Sequence, residues 1–117
     1  MDNKEFARLL EKRTREFALL IIKLSTLLPN TPEANVIRYQ LTKAGTSVGA
    51  NYREANRARS KADFKNRAAI CQSEASESQY WLEIILDMDW LPQKRVDPVY
   101  QECSELLGIF TAICTNR

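Results

Sequence analysis

Along most of this chain apolar residues return at alternating intervals of three and four. Phe6, Leu10, Arg13, Phe17, Leu20, Leu24 and Leu27 trace one such line, interrupted only by the arginine, and predict an amphipathic helix that Pro29 ends. Asn30-Thr31-Pro32-Glu33 then supplies a capping residue, a proline at the first helical position and an acid in the first turn, predicting a second helix to about Asn56. Ser60-Lys61-Ala62-Asp63 has capping-box spacing and opens a third, whose seam is Phe64, Ala68, Cys71, Ala75, Ser78, Leu82 and Ile85. Pro92 marks its end. Asp97-Pro98 repeats the cap-and-proline start, and Val99, Cys103, Leu106, Phe110 and Ile113 form a fourth seam. No strand-like alternation or hairpin turn occurs.

Links this short cannot carry the chain back along a helix, so the pattern predicts an all-α, antiparallel up-and-down four-helix bundle, with residues 1–117 forming a single domain. Within it, Lys43-Ala-Gly-Thr-Ser-Val-Gly-Ala-Asn-Tyr-Arg-Glu-Ala55 places Gly45 and Gly49 four apart among small side chains. A phosphate loop is a poor explanation, since no strand precedes the segment and no Gly-Lys-Ser/Thr follows. Close helix packing fits better. A hairpin turning near Arg57–Arg59 would set the two glycines opposite Ala68–Ala75, offsetting the ~1 kcal/mol that each mid-helix glycine costs.

Two runs exceed what one seam can bury. Phe17–Ile22 points apolar groups in every direction, as does Tyr80–Leu86, whereas a solvent-facing helix commits about three positions in seven to the core. A second buried face, and hence a homo-oligomer, is expected.

Composition narrows the chemistry. Hydrophobic residues at 44% and charged residues at 27% are ordinary for a globular domain, and the net charge is only +2. The longest apolar run falls far below the ~20 residues that cross a bilayer. The first residues show no apolar signal segment, so a cytoplasmic location is expected. Cys71, Cys103 and Cys114, odd in number and widely spaced, fit reduced core thiols rather than a disulfide framework or zinc site. Histidine is absent, which removes the commonest general base and metal ligand. With no nucleophile–base constellation either, no catalytic residue, metal site or cofactor is expected. Glu74 with Glu77 and Glu83 with Asp87 share helical faces, but they lie between the seam positions and read as a solvated surface.

The basic residues are distributed unevenly. Residues 51–67 hold Arg53, Arg57, Arg59, Lys61, Lys65 and Arg67 against Glu54 and Asp63, six bases to two acids, a net +4. Residues 68–91 hold five acids and no base, a net −5. The positive segment spans the link between the second and third helices. There it makes a candidate phosphate-binding surface, with no aromatic interleaved for base stacking. Solvation, or pairing with the acidic stretch of another subunit, is the competing account. Further candidates are Arg8, Lys12 and Arg15 on the first helix.

Gly45-Thr-Ser-Val-Gly-Ala-Asn-Tyr-Arg-Glu-Ala55, Arg57-Ala-Arg-Ser-Lys-Ala-Asp-Phe64 and Glu74-Ala-Ser-Glu-Ser-Gln-Tyr-Trp-Leu82 resemble the bacterial four-helix-bundle family first met as reading frames within intervening sequences of large-subunit ribosomal RNA genes. The resemblance implies an up-and-down bundle assembling into a homopentamer. It also extends distantly to the accessory proteins of diversity-generating retroelements, which bind a reverse transcriptase and nucleic acid through a basic surface. It brings no catalytic residues. Ser47, Val48, Asn51 and Glu54 match the family's Ser-aliphatic-x-x-Asn-x-x-Glu pattern, while Ala55 stands where many members have glycine. Together with Gly45 and Gly49, the polar members Ser47, Asn51 and Glu54 are expected to serve helix packing. The function expected is a non-enzymatic oligomeric scaffold whose partners are itself and RNA, DNA or a nucleic-acid enzyme such as a reverse transcriptase, with no membrane role. The alternative is a purely protein-binding adaptor.

Overall fold

The computed structural model describes residues 1–115. It contains helices α1 (Asn3–Ser25), α2 (Pro32–Ala55), α3 (Lys61–Asp87) and α4 (Gln93–Thr115), and no strand among the described residues. Each helix packs on its neighbours in the order α1–α2–α3–α4–α1, and the diagonal pairs do not approach. This is the expected up-and-down bundle, about 44 Å long.

The starts of three helices follow from side-chain capping. The side-chain oxygens of Asp2, Thr31 and Ser60 accept from the backbone N–H groups of Glu5, Ala34 and Asp63, each relieving one orphan donor of a first turn. At the end of α1 the orphans are carbonyls, and Arg38 of α2 reaches back to them. Its guanidinium donates to Ser25 O at 2.9 Å and Leu28 O at 2.6 Å, placing a cation at the negative end of α1. Periodicity alone does not single out Arg38.

The start of α4 departs from expectation. Asp97-Pro98 does not open the helix. Pro92 does, its carbonyl accepting from Arg95 N at 2.9 Å, and Pro98 lies inside. A proline there forfeits one N–H bond near the helix start, and the earlier start brings Val96 into the core, fully buried.

The α3 seam is buried as expected except at its first residue, half-buried Phe64. The α1 seam is rotated. Leu10, Thr14, Phe17, Ile21, Leu24 and Leu28 are buried, while Phe6, Leu20 and Leu27 stay exposed.

The two glycines explain the rotation. A Cβ at Gly45 would stand 2.7 Å from Ile21 Cγ1, and one at Gly49 would stand 3.0 Å from Thr14 Oγ1. Both glycines therefore face α1, not Ala68–Ala75 of α3, and the bare surface of α2 admits the branched side chains of α1. Thr14 is tolerated in the core because its hydroxyl donates to Leu10 O at 2.9 Å within its own helix. The small residues of α3 meet a different face of α2, where the Cys71 thiol donates to Val48 O at 3.3 Å.

Arg13 is half-buried and bridges the otherwise lightly packed α1–α4 pair. Its guanidinium donates to both Glu102 oxygens at 2.7 Å and to Glu105 at 2.7 Å. These bonds hold Arg13 more firmly protonated than usual. They also help the stronger effect of Gln101 keep the Glu105 carboxyl below its ordinary range. Arg13→Met should lower stability by about 1 kcal/mol in urea titrations. Much of that loss should disappear when Glu102→Gln has already been made.

Candidate nucleic-acid interface

The antiparallel topology brings the α2–α3 link, the start of α1 and the end of α4 to one end of the bundle. Asn56, immediately after α2, donates to Glu11 of α1 at 2.8 Å, which fixes the start of α1 beside the link. Residues 1–15 and 51–67 together carry eleven bases and five acids, a net +6. Residues 16–50 and 68–107, which run through the middle and far end, carry five bases and ten acids, a net −5. The molecule is thus polarised along its long axis, more strongly than the link alone indicates.

At the positive end Arg53, Arg57, Arg59, Lys61 and Lys65 are exposed and Arg67 is half-buried. Arg57 stands 3.9 Å from Glu54, with both side chains more than half exposed, a pairing that water largely screens. Arg67 reaches Asn51 Oδ1 at 3.5 Å across the α2–α3 seam. Arg53, Arg59 and Lys61 make no side-chain bond or ion pair among the described residues. Lys61 is the first residue of α3, beside its cap, and is exposed there.

The positive surface continues onto α1. An open groove of about 500 Å³ runs between α1 and α2, floored by Ala18, Thr46, Gly49 and Ala50 and bordered by Arg15 and Arg53. Glu11 and Glu54 also line it, so its field is mixed. Lys4 and Arg8 border a second cleft that reaches Asn56. The arginines of α1 therefore adjoin those of the link.

The residues expected to serve packing divide. Gly45 is buried and Gly49 half-buried against α1. Ser47 bonds its own helix at Lys43 O and also touches Glu74 of α3. Asn51 donates to Ser47 O at 2.9 Å. Glu54 departs from the expectation: its side chain is 52% exposed at the rim of the α1–α2 groove, and among the described residues its ion pair is with Arg57 of the adjoining link. Ser60 caps α3, as its spacing predicts.

The acid pairs on α3 also differ from a wholly solvated face. Glu74 and Glu77 are half-buried. Burial raises the Glu74 carboxyl, Glu77 raises it further, and the neighbouring Ser47 and Lys43 oppose both. Glu77 accepts from Trp81 Nε1 at 3.2 Å, and Glu83 accepts from Tyr100 Oη at 2.6 Å. The latter bond, ahead of burial, raises the Tyr100 hydroxyl to about 12. These partners give the acids structural employment. Among the described residues no cluster of three or more potential ligands could hold a metal ion, and no helix is long and apolar enough to cross a membrane.

Comparison with known proteins adds identity to this geometry. The family model described as 23S rRNA-intervening sequence protein matches residues 9–112. A crystal structure of a protein of unknown function from the S23 ribosomal protein family of Bacteroides thetaiotaomicron is similar throughout, with 32% identity and a TM-score of 0.84. The match covers 91% of this chain and 98% of that one. No curated protein matches.

Proposed function

From the premise that this chain belongs to the 23S rRNA-intervening sequence protein family, we propose that it is a non-enzymatic scaffold of several identical subunits that holds nucleic-acid phosphates on its basic end. The observation carrying this reading is the net +6 gathered at one end of the bundle, with Arg53, Arg59 and Lys61 exposed and without ion partners among the described residues. A single such patch binds phosphate weakly, because each interaction in water gains little. Several copies on one rim bind a polyanion together, with the second and later phosphates engaged at high effective concentration.

Self-association is supported by the apolar residues that folding leaves outside. Leu19 and Ile22 of α1 are 50% and 40% exposed, and Val36 and Tyr39 of α2 are 58% and 63% exposed. Where such residues form a contiguous patch, they mark an interaction surface. The pentamer and a reverse transcriptase as partner follow from family resemblance alone, and the cytoplasmic location from the sequence expectation; all three belong to the proposal.

The test replaces Arg57, Arg59 and Lys61 together by glutamine and compares salt titrations of RNA and DNA binding with wild type. None of the three supports the core, so helicity and oligomer mass should hold. For every phosphate that the variant no longer neutralises, the dependence of log affinity on log salt should flatten by about 0.7–0.9. Wild type that shows no salt-sensitive binding would remove the nucleic-acid reading and leave the protein-binding adaptor. Equal binding by wild type and variant would move the phosphate site to Arg8, Lys12 and Arg15.

A further inference from the structure

The lightly packed side of the bundle leaves an apolar groove between α1 and α4. Leu20, Leu24 and Leu27 form one wall, Pro98 and Val99 the other, and the space between them is about 260 Å³. Lys23 and Arg95 stand at its edges. Neither side chain has a hydrogen bond or ion pair among the described residues. An apolar slot flanked by two unpaired cations fits an apolar group flanked by acids.

The chain itself carries that complement. Tyr80, Glu83 and Asp87, spaced by three and four, lie along one outward stripe of α3. Tyr80 is 54% exposed, and it borders a shallow cleft with Leu107, so the stripe leans toward α4. No base lies between Ala68 and Leu91 to neutralise it. The stripe also stands near the level of the groove. Gln79 donates to Ser104 and Tyr100 donates to Glu83, which sets residues 79–83 of α3 beside 100–104 of α4, adjoining the Pro98–Val99 wall.

We infer that the α1–α4 groove receives the Tyr80 stripe of a second copy, with Lys23 and Arg95 facing that copy's Glu83 and Asp87. The inference rests on the self-association in the proposed function and names its interface. That interface is heterologous, since each copy offers a groove to one neighbour and a stripe to another. Groove and stripe lie at similar heights on different sides of the bundle, so each added copy turns about an axis running along the helices. Where the turn per copy completes the circle, such an arrangement closes into a ring and sets every positive end on the same rim.

Charge exchange tests the pairing. Lys23→Glu with Arg95→Glu should reduce the mass measured by sedimentation equilibrium at micromolar concentration to that of a single chain. Glu83→Lys with Asp87→Lys should do the same. The chain carrying all four substitutions should recover the wild-type mass, because the attraction is restored with its sign reversed. Recovery also excludes misfolding as the cause of dissociation in the double variants, and circular dichroism on each variant checks helicity. A multimeric wild type whose mass survives either double substitution, or a fourfold variant that stays monomeric, would overturn the pairing while leaving self-association intact. A monomeric wild type would remove self-association itself, and the pairing with it.

Discussion

Gly45→Leu should prevent the bundle from forming, and even Gly45→Ala should lower the melting temperature by several degrees. The added methyl of alanine would lie 2.7 Å from Cγ1, 2.8 Å from Cγ2 and 3.0 Å from Cβ of Ile21, all closer than carbon atoms approach. Rotating Ile21 gives no escape, because its Cβ is fixed to the α1 backbone and the branched carbons start there. Helix α1 must therefore move away from α2, loosening the packing of Phe17 and Leu24 on either side. Overpacking of this kind costs ~1–3 kcal/mol, more than the ~1 kcal/mol of helix propensity that alanine returns. Leucine adds three further carbons to the same collision.

Thermal melts of Gly45→Ala, Ile21→Ala and the double variant would resolve the effect. The double variant should be destabilised by less than the sum of the two single variants, since removing the Ile21 branches relieves most of the crowding. Strict additivity would mean that the two residues do not meet. At Gly49 the nearest atoms are Thr14 Oγ1 at 3.0 Å and Cβ at 3.2 Å, so Gly49→Ala should cost less than Gly45→Ala.

These glycines also mark the limit of what the sequence discloses. That they serve close packing follows from their type and spacing. Which helix they meet does not, because a small residue is compatible with any neighbour. A seam is chosen jointly by two surfaces. Leu10, Phe17 and Leu24 belong both to the expected line on α1 and to the buried one, and the choice between Leu20 and Ile21 depends on the shape of α2 opposite. Helix α3 is legible almost in full because its expected seam contains Ala68, Cys71, Ala75 and Ser78, small residues with no equally apolar line beside them.

The site divides in the same way. Charge is readable residue by residue, so the basic link and the acidic helix appear in the sequence. Their sum at one end of the molecule appears only when the start of α1 is placed beside Asn56. Arg13 carries a signal in the sequence: a lone cation in an apolar line needs an acid from another helix, and Glu102 and Glu105 supply it. Arg38 carries none, since capping the end of a preceding helix leaves no periodic trace.

The second large effect concerns the thiols, which should make the fold sensitive to alkali. Cys71 and Cys103 are fully buried, and burial pushes each up to about 12. Each thiol also donates across a helix interface, Cys71 to Val48 O at 3.3 Å and Cys103 to Ala75 O at 3.2 Å. A thiolate would lose that bond and face a carbonyl oxygen instead. In the unfolded chain the same groups ionise near ~8.5. Below that pH both states hold the protons and stability is unaffected. Between about 8.5 and 12 the unfolded state releases them and the folded state does not, so stability falls as pH rises, by roughly 1.4 kcal/mol per pH unit for each thiol. Burial raises the Tyr52 hydroxyl as well, adding a loss of the same sign at the upper end of the range. Urea midpoints under reducing conditions at about pH 8 and pH 10.5 should therefore differ widely for wild type and much less for Cys71→Ala with Cys103→Ala. The double variant should be the weaker protein at the lower pH, where it lacks two packed sulfurs, and should overtake wild type on the alkaline side. Parallel curves would show that the buried thiols ionise without opening the bundle.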